Sequence, residues 1–249
     1  MGAIPYSDSF VQNKKLGWKE DKNLGSRFKT YKDIYQDLLP QHFEKRKSFS
    51  VVVAGPSNEE IEIIKNILEK HKNVNVNIFE PVKDRSEELR EMLGYLGERV
   101  NVIEGYVFDI GDYLTKNSIK VAIFLNVINW IPMNIIKLLE GLNKTLLSDG
   151  IAIVSFYTKL RADRKDKNYI IETPKWFIRS VERNSIKSLN ELNLSNLYYT
   201  DGNGVLKVYV LGKSGLKEIL KDVKEKYKEA RKILDFIDST KLYKLNQFF

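Results

Sequence analysis

Three short apolar runs of this 249-residue chain end in residues that could bind a ligand. Gly55 follows the first run, Glu80 closes the second, and Asn126 comes just after the fourth. A carboxylate at the end of a strand can accept hydrogen bonds from both hydroxyls of a ribose, and an asparagine amide can bind an amine or a hydroxyl. These residues predict a crevice for a nucleoside-containing ligand and a polar partner.

The runs have the composition of buried parallel strands, because they are apolar, rich in β-branched residues and bounded by turn residues. Helices are predicted between them, one of which begins at a capping-box pattern formed by Ser57 and Glu60. The alternation predicts an α/β, Rossmann-like, doubly wound and mostly parallel sheet with its ligand site at the carboxyl ends of the strands. The strands are predicted at residues 49–54, 74–79, 100–107, 119–125 and 151–156, and helices at residues 84–96 and 135–147.

The flanking regions predict further elements around this sheet. Strands at residues 196–200 and 205–211 surround the turn sequence Asp-Gly-Asn-Gly, which indicates a terminal antiparallel hairpin. The predicted division is an N-terminal helical extension (1–48, with a helix at 29–43), an α/β domain (49–213) containing a basic insertion (158–187) with a helix or lid near residues 174–181, and a long C-terminal amphipathic helix (214–249).

Composition excludes several classes of site. The chain has no cysteine and two histidines far apart, so neither a thiolate nucleophile nor a metal site is expected. The longest apolar stretch, residues 121–132, is shorter than the roughly 20 residues that a membrane helix needs. Residues 1–22 lack the apolar centre of a signal peptide, so we expect a cytoplasmic protein.

Charge is distributed unevenly along this basic chain of net charge +8. Residues 51–157 carry −4, whereas residues 158–187 carry +5. Two interpretations remain open: a solvated surface, or a surface that binds a polyanion such as nucleic acid. The second makes Arg161, Arg164 and Lys165 candidate substrate-binding residues.

The order of these elements resembles the class I S-adenosylmethionine-dependent methyltransferases over residues 49–213. Residues 126–132, Asn-Val-Ile-Asn-Trp-Ile-Pro, resemble the family's motif after its fourth strand. Residues 138–154 resemble its helix, glycine turn and fifth strand. At the first loop only Gly55 matches the family's glycines, and Val53 stands where the family has an acidic residue.

The resemblance implies S-adenosylmethionine as the cofactor. The residues that would bind it are Gly55, Pro56, Ser57, Glu80, Pro81, Tyr106, Val107 and Asn126. Those that would line the acceptor pocket are Asn129, Trp130 and Tyr157, with Asn126 and Trp130 as the candidate catalytic residues. The acceptor itself is not predicted beyond RNA or another polyanion.

Glu59 and Glu60 favour this cofactor over a dinucleotide, because carboxylates in the first turn of a helix oppose a pyrophosphate there. Pro56 also removes one amide donor from the loop. Two other functions remain open. One is a catalytically silent relative that binds nucleic acid or a larger assembly, and the other is an aminocarboxypropyl or aminopropyl transferase on the same scaffold.

Overall fold

The computed structural model describes residues 48–125, 127–128, 134–164, 167–186 and 206–238, and of residues 59, 159–164, 167–171, 206 and 232–238 it describes the backbone alone. Eight strands lie in these ranges: β1 (Phe49–Ala54), β2 (Val74–Glu80), β3 (Val100–Glu104), β4 (Ile119–Phe124), β5 (Leu146–Tyr157), β6 (Lys159–Arg164), β7 (Lys167–Glu172) and β8 (Leu206–Gly212). The helices are α1 (Asn58–Lys70), α2 (Lys83–Leu93), α3 (Ile110–Tyr113), α4 (Ile135–Thr145), α5 (Lys175–Asn184) and α6 (Lys213–Asp238), with 3-10 turns at Gly94–Arg99 and Val107–Asp109.

Six strands form the central sheet in the order β3-β2-β1-β4-β5-β8. The first five are parallel, and β8 runs antiparallel to β5. The strand order reverses at β1, whose neighbours are β2 and β4. Helices cover both faces, so the predicted Rossmann-like, doubly wound fold is confirmed. The predicted strand at residues 196–200 and the helix at residues 29–43 lie outside the described residues.

Two apolar clusters cover the two faces of the sheet. On one face, α1 and α2 contribute Ile61, Ile64, Leu68 and Leu89 to a core formed with β1 and β2. On the other face, buried residues of α4, α5 and α6 pack against β4, β5 and β8. Strands buried on both faces need apolar residues at consecutive positions, which explains why the runs are continuous rather than alternating.

The basic insertion contains two strands that its weakly periodic sequence did not predict. Strands β6 and β7 pair as an antiparallel hairpin that is separate from the central sheet. The alternation of a strand is hard to recognise here because charged residues such as Arg161 and Asp163 interrupt it. After Pro174 the chain forms α5, over the part of the insertion where a helix or lid was predicted.

The long helix α6 is fixed by its first three turns. Leu216, Ile219 and Val223 are buried against the second core, and Asp222 accepts hydrogen bonds from Ser180 and Arg183 of α5. Gly215 allows α5 to approach closely, because a Cβ there would lie 2.3 Å from the carbonyl oxygen of Asn184. Among the described residues, no helix combines the length and hydropathy that crossing a bilayer requires.

Candidate ligand site

The loop after β1 brings the ends of two strands together. Gly55 has a φ of 54°, in the left-handed region that residues with a side chain rarely adopt. Its backbone N–H donates a 2.9 Å hydrogen bond to the carbonyl oxygen of Phe79, the last apolar residue of β2. Gly55 therefore lies level with Glu80, and the chain turns there directly into α1.

The predicted capping box is present at the start of α1. The backbone N–H of Ser57 donates to Oε2 of Glu60 at 2.9 Å, and the N–H of Glu60 donates to Oγ of Ser57 at 3.3 Å. Glu60 is only 5% exposed, so its carboxylate lies inside the molecule next to the loop. The end of the helix that would attract a phosphate is occupied by a negative charge.

Glu80 is a buried carboxylate at the carboxyl edge of the sheet. It is 2% exposed, and its Oε1 accepts a 3.1 Å hydrogen bond from the backbone N–H of Val82. Its carbonyl oxygen accepts a 3.3 Å bond from the N–H of Gly105, which brings the end of β3 alongside. Gly55, Glu80 and the end of β3 therefore lie side by side at one edge of the sheet.

Aromatic residues border the end of β3. Tyr106 is 37% exposed and stacks in parallel on Phe108, with their ring centroids 4.9 Å apart. Val107, predicted to bind the cofactor, turns into the second core instead of toward solvent, because a 3-10 turn begins there. A Cβ on Gly105 would lie 3.0 Å from the hydroxyl oxygen of Tyr113, so that ring packs directly over the glycine.

Two contacts of basic side chains near the site hold its walls in place. Arg85 of α2 donates a 2.5 Å hydrogen bond to Oδ1 of Asn58, the first residue of α1, and thereby connects the loops after β1 and β2. Lys137 of α4 bonds the carboxylates of Asp109 and Asp112, which both follow β3, and these two contacts raise the pKa of Lys137. Sequence reasoning missed Arg85 and Lys137, because their partners are distant in the sequence and no pattern connects them.

The fourth strand reaches the same edge. Val53 of β1 is in register with Ile123 of β4, so Leu125 lies level with Gly55. Asn126, Asn129, Trp130 and Lys165 lie outside the described residues. Pro56 is buried, and Pro81 is partly buried.

The residues predicted to bind the methyl acceptor at and after the end of β5 lie partly in the central sheet and partly in the β6–β7 hairpin. Tyr157 ends β5 and is 3% exposed. The backbones of Arg161 and Arg164 lie in β6, which leaves the sheet two residues after β5. Their roles in acceptor binding stay predictions.

Comparison with known proteins shows which solved structures have a similar fold. No protein-family model and no curated protein matches the chain. Among solved structures, the CurJ carbon methyltransferase matches with a TM-score of 0.50 and 10% identity over 73% of this chain and 54% of that chain. The PH0226 protein from Pyrococcus horikoshii OT3 matches with a TM-score of 0.49 and 12% identity over 78% and 92%.

A third similar structure is the geranyl diphosphate C-methyltransferase from Streptomyces coelicolor A3(2), in complex with S-adenosyl-L-homocysteine, with a TM-score of 0.41 and 10% identity over 59% of this chain and 52% of that chain. This chain matches about half the length of that enzyme and of CurJ. The sheet order, the reversed β8 and the likeness to CurJ agree with one another. The chain therefore has the Rossmann-like fold of the class I S-adenosylmethionine-dependent methyltransferases.

Proposed function

We propose that the chain is an S-adenosylmethionine-dependent methyltransferase that binds its cofactor at the carboxyl ends of β1, β2 and β3. The observation that carries the proposal is the buried carboxylate of Glu80 beside the left-handed Gly55. In this fold a ligand binds in the crevice at the point where the strand order reverses, which here is β1. Both residues lie at that point.

The residues present fit the groups of this cofactor. The Glu80 carboxylate is suited to accept hydrogen bonds from two ribose hydroxyls, and the exposed ring of Tyr106 offers a face for an adenine. Gly55 lets the backbone turn without a side chain at the crevice. When bound, the cofactor would supply a methyl group on an electrophilic sulfonium, and the protein would supply orientation and exclusion of water.

Electrostatics at α1 support S-adenosylmethionine over a phosphate-containing dinucleotide. The buried Glu60 carboxylate accepts the N–H of Ser57 at the start of the helix, and its charge would repel a pyrophosphate placed there. A cofactor without phosphate and with cationic groups meets no such repulsion. The same capping box also serves as ordinary helix initiation, which is compatible with this function.

Val53 favours the second candidate, a catalytically silent relative. This residue is 1% exposed and belongs to the first core, so the carboxylate that the family has at this position is replaced by a packed apolar side chain. Cofactor affinity would then depend more heavily on Glu80. An aminocarboxypropyl or aminopropyl transferase would use the same crevice and differ in the carbon that is attacked.

Calorimetry with S-adenosylmethionine and S-adenosylhomocysteine tests the proposal. We expect both to bind the wild-type chain, and Glu80→Gln to bind more weakly. Mass spectrometry of an acceptor after turnover then distinguishes the addition of a methyl group from the addition of the larger aminocarboxypropyl or aminopropyl group. A folded protein that binds neither compound contradicts the proposal and leaves the silent relative.

A further inference from the structure

The β6–β7 hairpin leaves the molecule at the edge that carries the ligand site. It follows the carboxyl end of β5, which is parallel to β4. The neck of the hairpin is closed by Thr173, whose N–H donates to the carbonyl oxygen of Thr158 at 3.0 Å and whose Oγ1 donates to that of Tyr157 at 2.6 Å. The hairpin is therefore attached to the carboxyl end of a buried strand, at the edge of the sheet where Gly55 and Glu80 also lie.

The register places two cations opposite each other at the far end of this hairpin. Arg164 is directly opposite Lys167, and the connecting residues 165–166 are a lysine and an aspartate, whose charges offset each other. Like charges in a direct cross-strand pair destabilise a sheet, and an isolated two-stranded hairpin has little other stability to offset that cost. A bound anion would remove the repulsion, so the pair indicates a ligand with negative charge.

Helix α5 continues the basic surface from the base of the hairpin. It begins at Lys175, three residues after β7 ends, and Arg179 follows one turn later. Both side chains are exposed, and within the part of the chain that the structure describes neither forms a close ion pair; the charge of Arg179 acts on Glu182 only from a greater distance. By contrast, Arg183 on the same face is neutralised by Asp222 at 2.6 Å.

An aromatic residue shares one face of the hairpin with the charged pair. Tyr169 is opposite Ala162, two positions from Lys167 and Arg164, and residues two apart on a strand lie on the same face. Aromatic residues beside cations are typical of surfaces that bind single-stranded nucleic acids, where bases stack and the cations contact phosphates. A surface that binds an acidic protein by charge alone has no need of the tyrosine.

We propose that the β6–β7 hairpin and the exposed face of α5 bind a single-stranded nucleic acid. This inference extends the proposed function by naming a class of methyl acceptor. It rests on the proposed function only for the methylation of the bound strand, and nucleic-acid binding itself does not depend on it. Nucleic-acid binding is measured without cofactor, and cofactor binding is measured without nucleic acid. Either proposal can therefore fail while the other stands.

The first test compares two charge reversals in the full chain by fluorescence anisotropy with labelled single-stranded RNA and DNA over a series of salt concentrations. Arg164→Glu with Lys167→Glu keeps a like-charge pair at the hairpin end but changes its sign. Lys217→Glu with Lys221→Glu, on the exposed side of α6, changes the net charge equally at another surface. We expect the hairpin variant to lose roughly tenfold or more in affinity and to flatten the slope of log K against log salt by about 1.4, at about 0.7 per phosphate contact.

The second test uses a neutral change. Tyr169→Ala should weaken binding by roughly tenfold and leave the salt slope unchanged, because stacking contributes affinity without releasing counterions. Circular dichroism and thermal unfolding establish that each variant is folded, and Arg164→Gln with Lys167→Gln gives a milder version if the reversal unfolds the hairpin. The α6 variant should bind as the wild type does.

Three outcomes overturn the proposal. They are no binding of either oligonucleotide by the wild type at low salt, equal losses in the hairpin and α6 variants, or binding to vesicles of anionic phospholipid without binding to oligonucleotides. Retained cofactor binding in the hairpin variant, together with any of these, leaves the methyltransferase proposal intact.

Discussion

The Glu80 carboxylate accepts a hydrogen bond from the backbone N–H of Val82, so the last residue of β2 also fixes the loop that follows it. Replacing Glu80 with alanine should weaken S-adenosylmethionine binding by roughly 1.5–3 kcal/mol, the scale of a lost hydrogen bond to a charged group. Calorimetry measures the change.

Glu91→Ala is the control for this variant. Glu91 is exposed near the C-terminal end of α2, away from the carboxyl ends of the strands. Its removal should leave cofactor affinity unchanged. Equal affinities in wild type and Glu80→Ala would remove Glu80 from the site.

The left-handed conformation of Gly55 predicts a specific sensitivity to alanine. Gly55→Ala should lower the free energy of unfolding by about 1–2 kcal/mol, because a Cβ is strained at a φ of 54°. Gly94 offers the opposite case, with a φ of −57° and no atom within 4 Å of the position that a Cβ would occupy. Gly94→Ala should be neutral or stabilising by about 0.4–1 kcal/mol, because it restricts the unfolded chain.

Urea unfolding of the two glycine variants decides between conformational strain and a general effect of adding a methyl group. Similar changes in both variants would contradict the strain argument. If Gly55→Ala remains folded, calorimetry on it also tests whether the shape of the loop matters for cofactor binding.

The sheet could be predicted from the sequence because strands buried on both faces need continuous runs of apolar residues, which can be recognised locally. β1 has the predicted bounds, residues 49–54, since its apolar run is ended by Gly55 and Pro56. The strand ends then followed from the parallel arrangement, which brings Gly55 and Glu80 to one edge whatever the side chains between them. Local pattern and topology were sufficient for these features.

The hairpin and the walls of the site could not be predicted in this way. Strands β6 and β7 are joined by residues 165–166, Lys-Asp, which lack the glycine or asparagine that marks a tight hairpin turn in a sequence. The contact of Arg85 with Asn58 depends on how α1 and α2 pack. Such contacts are set by the arrangement of elements and leave no periodic signal.

The capping box at α1 should contribute measurably to stability. Ser57→Ala removes the hydroxyl that accepts the N–H of Glu60, which should cost about 1 kcal/mol in the free energy of unfolding. Glu62→Gln on the exposed side of the same helix removes only a surface ion pair with Lys65 and should cost at most a few tenths. Urea midpoints compare the two; equal effects would mean that the cap is not a significant anchor.

The pH dependence of stability should reveal the contacts of Glu182 on α5. Its carboxylate bonds the ammonium of Lys207, and that contact lowers the pKa of Glu182 despite the opposing effect of burial. The hydroxyl of Tyr209 donates a 2.9 Å hydrogen bond to the same oxygen and lowers the pKa further. Both contacts join α5 to β8.

A carboxylate whose pKa is lowered in the folded protein stabilises the fold at pH values above its pKa in the unfolded chain, which is about 4.3. This contribution disappears as the pH falls through the pKa in the folded protein. Wild type should therefore lose stability on acidification below about pH 4.3 more steeply than Glu182→Gln, which cannot titrate. Glu229→Gln, which breaks an exposed ion pair with Lys226, is the control and should follow the wild-type profile. Urea unfolding between neutral and acidic pH measures the difference, and parallel profiles for wild type and Glu182→Gln would show that the contacts with Lys207 and Tyr209 do not stabilise the charged form.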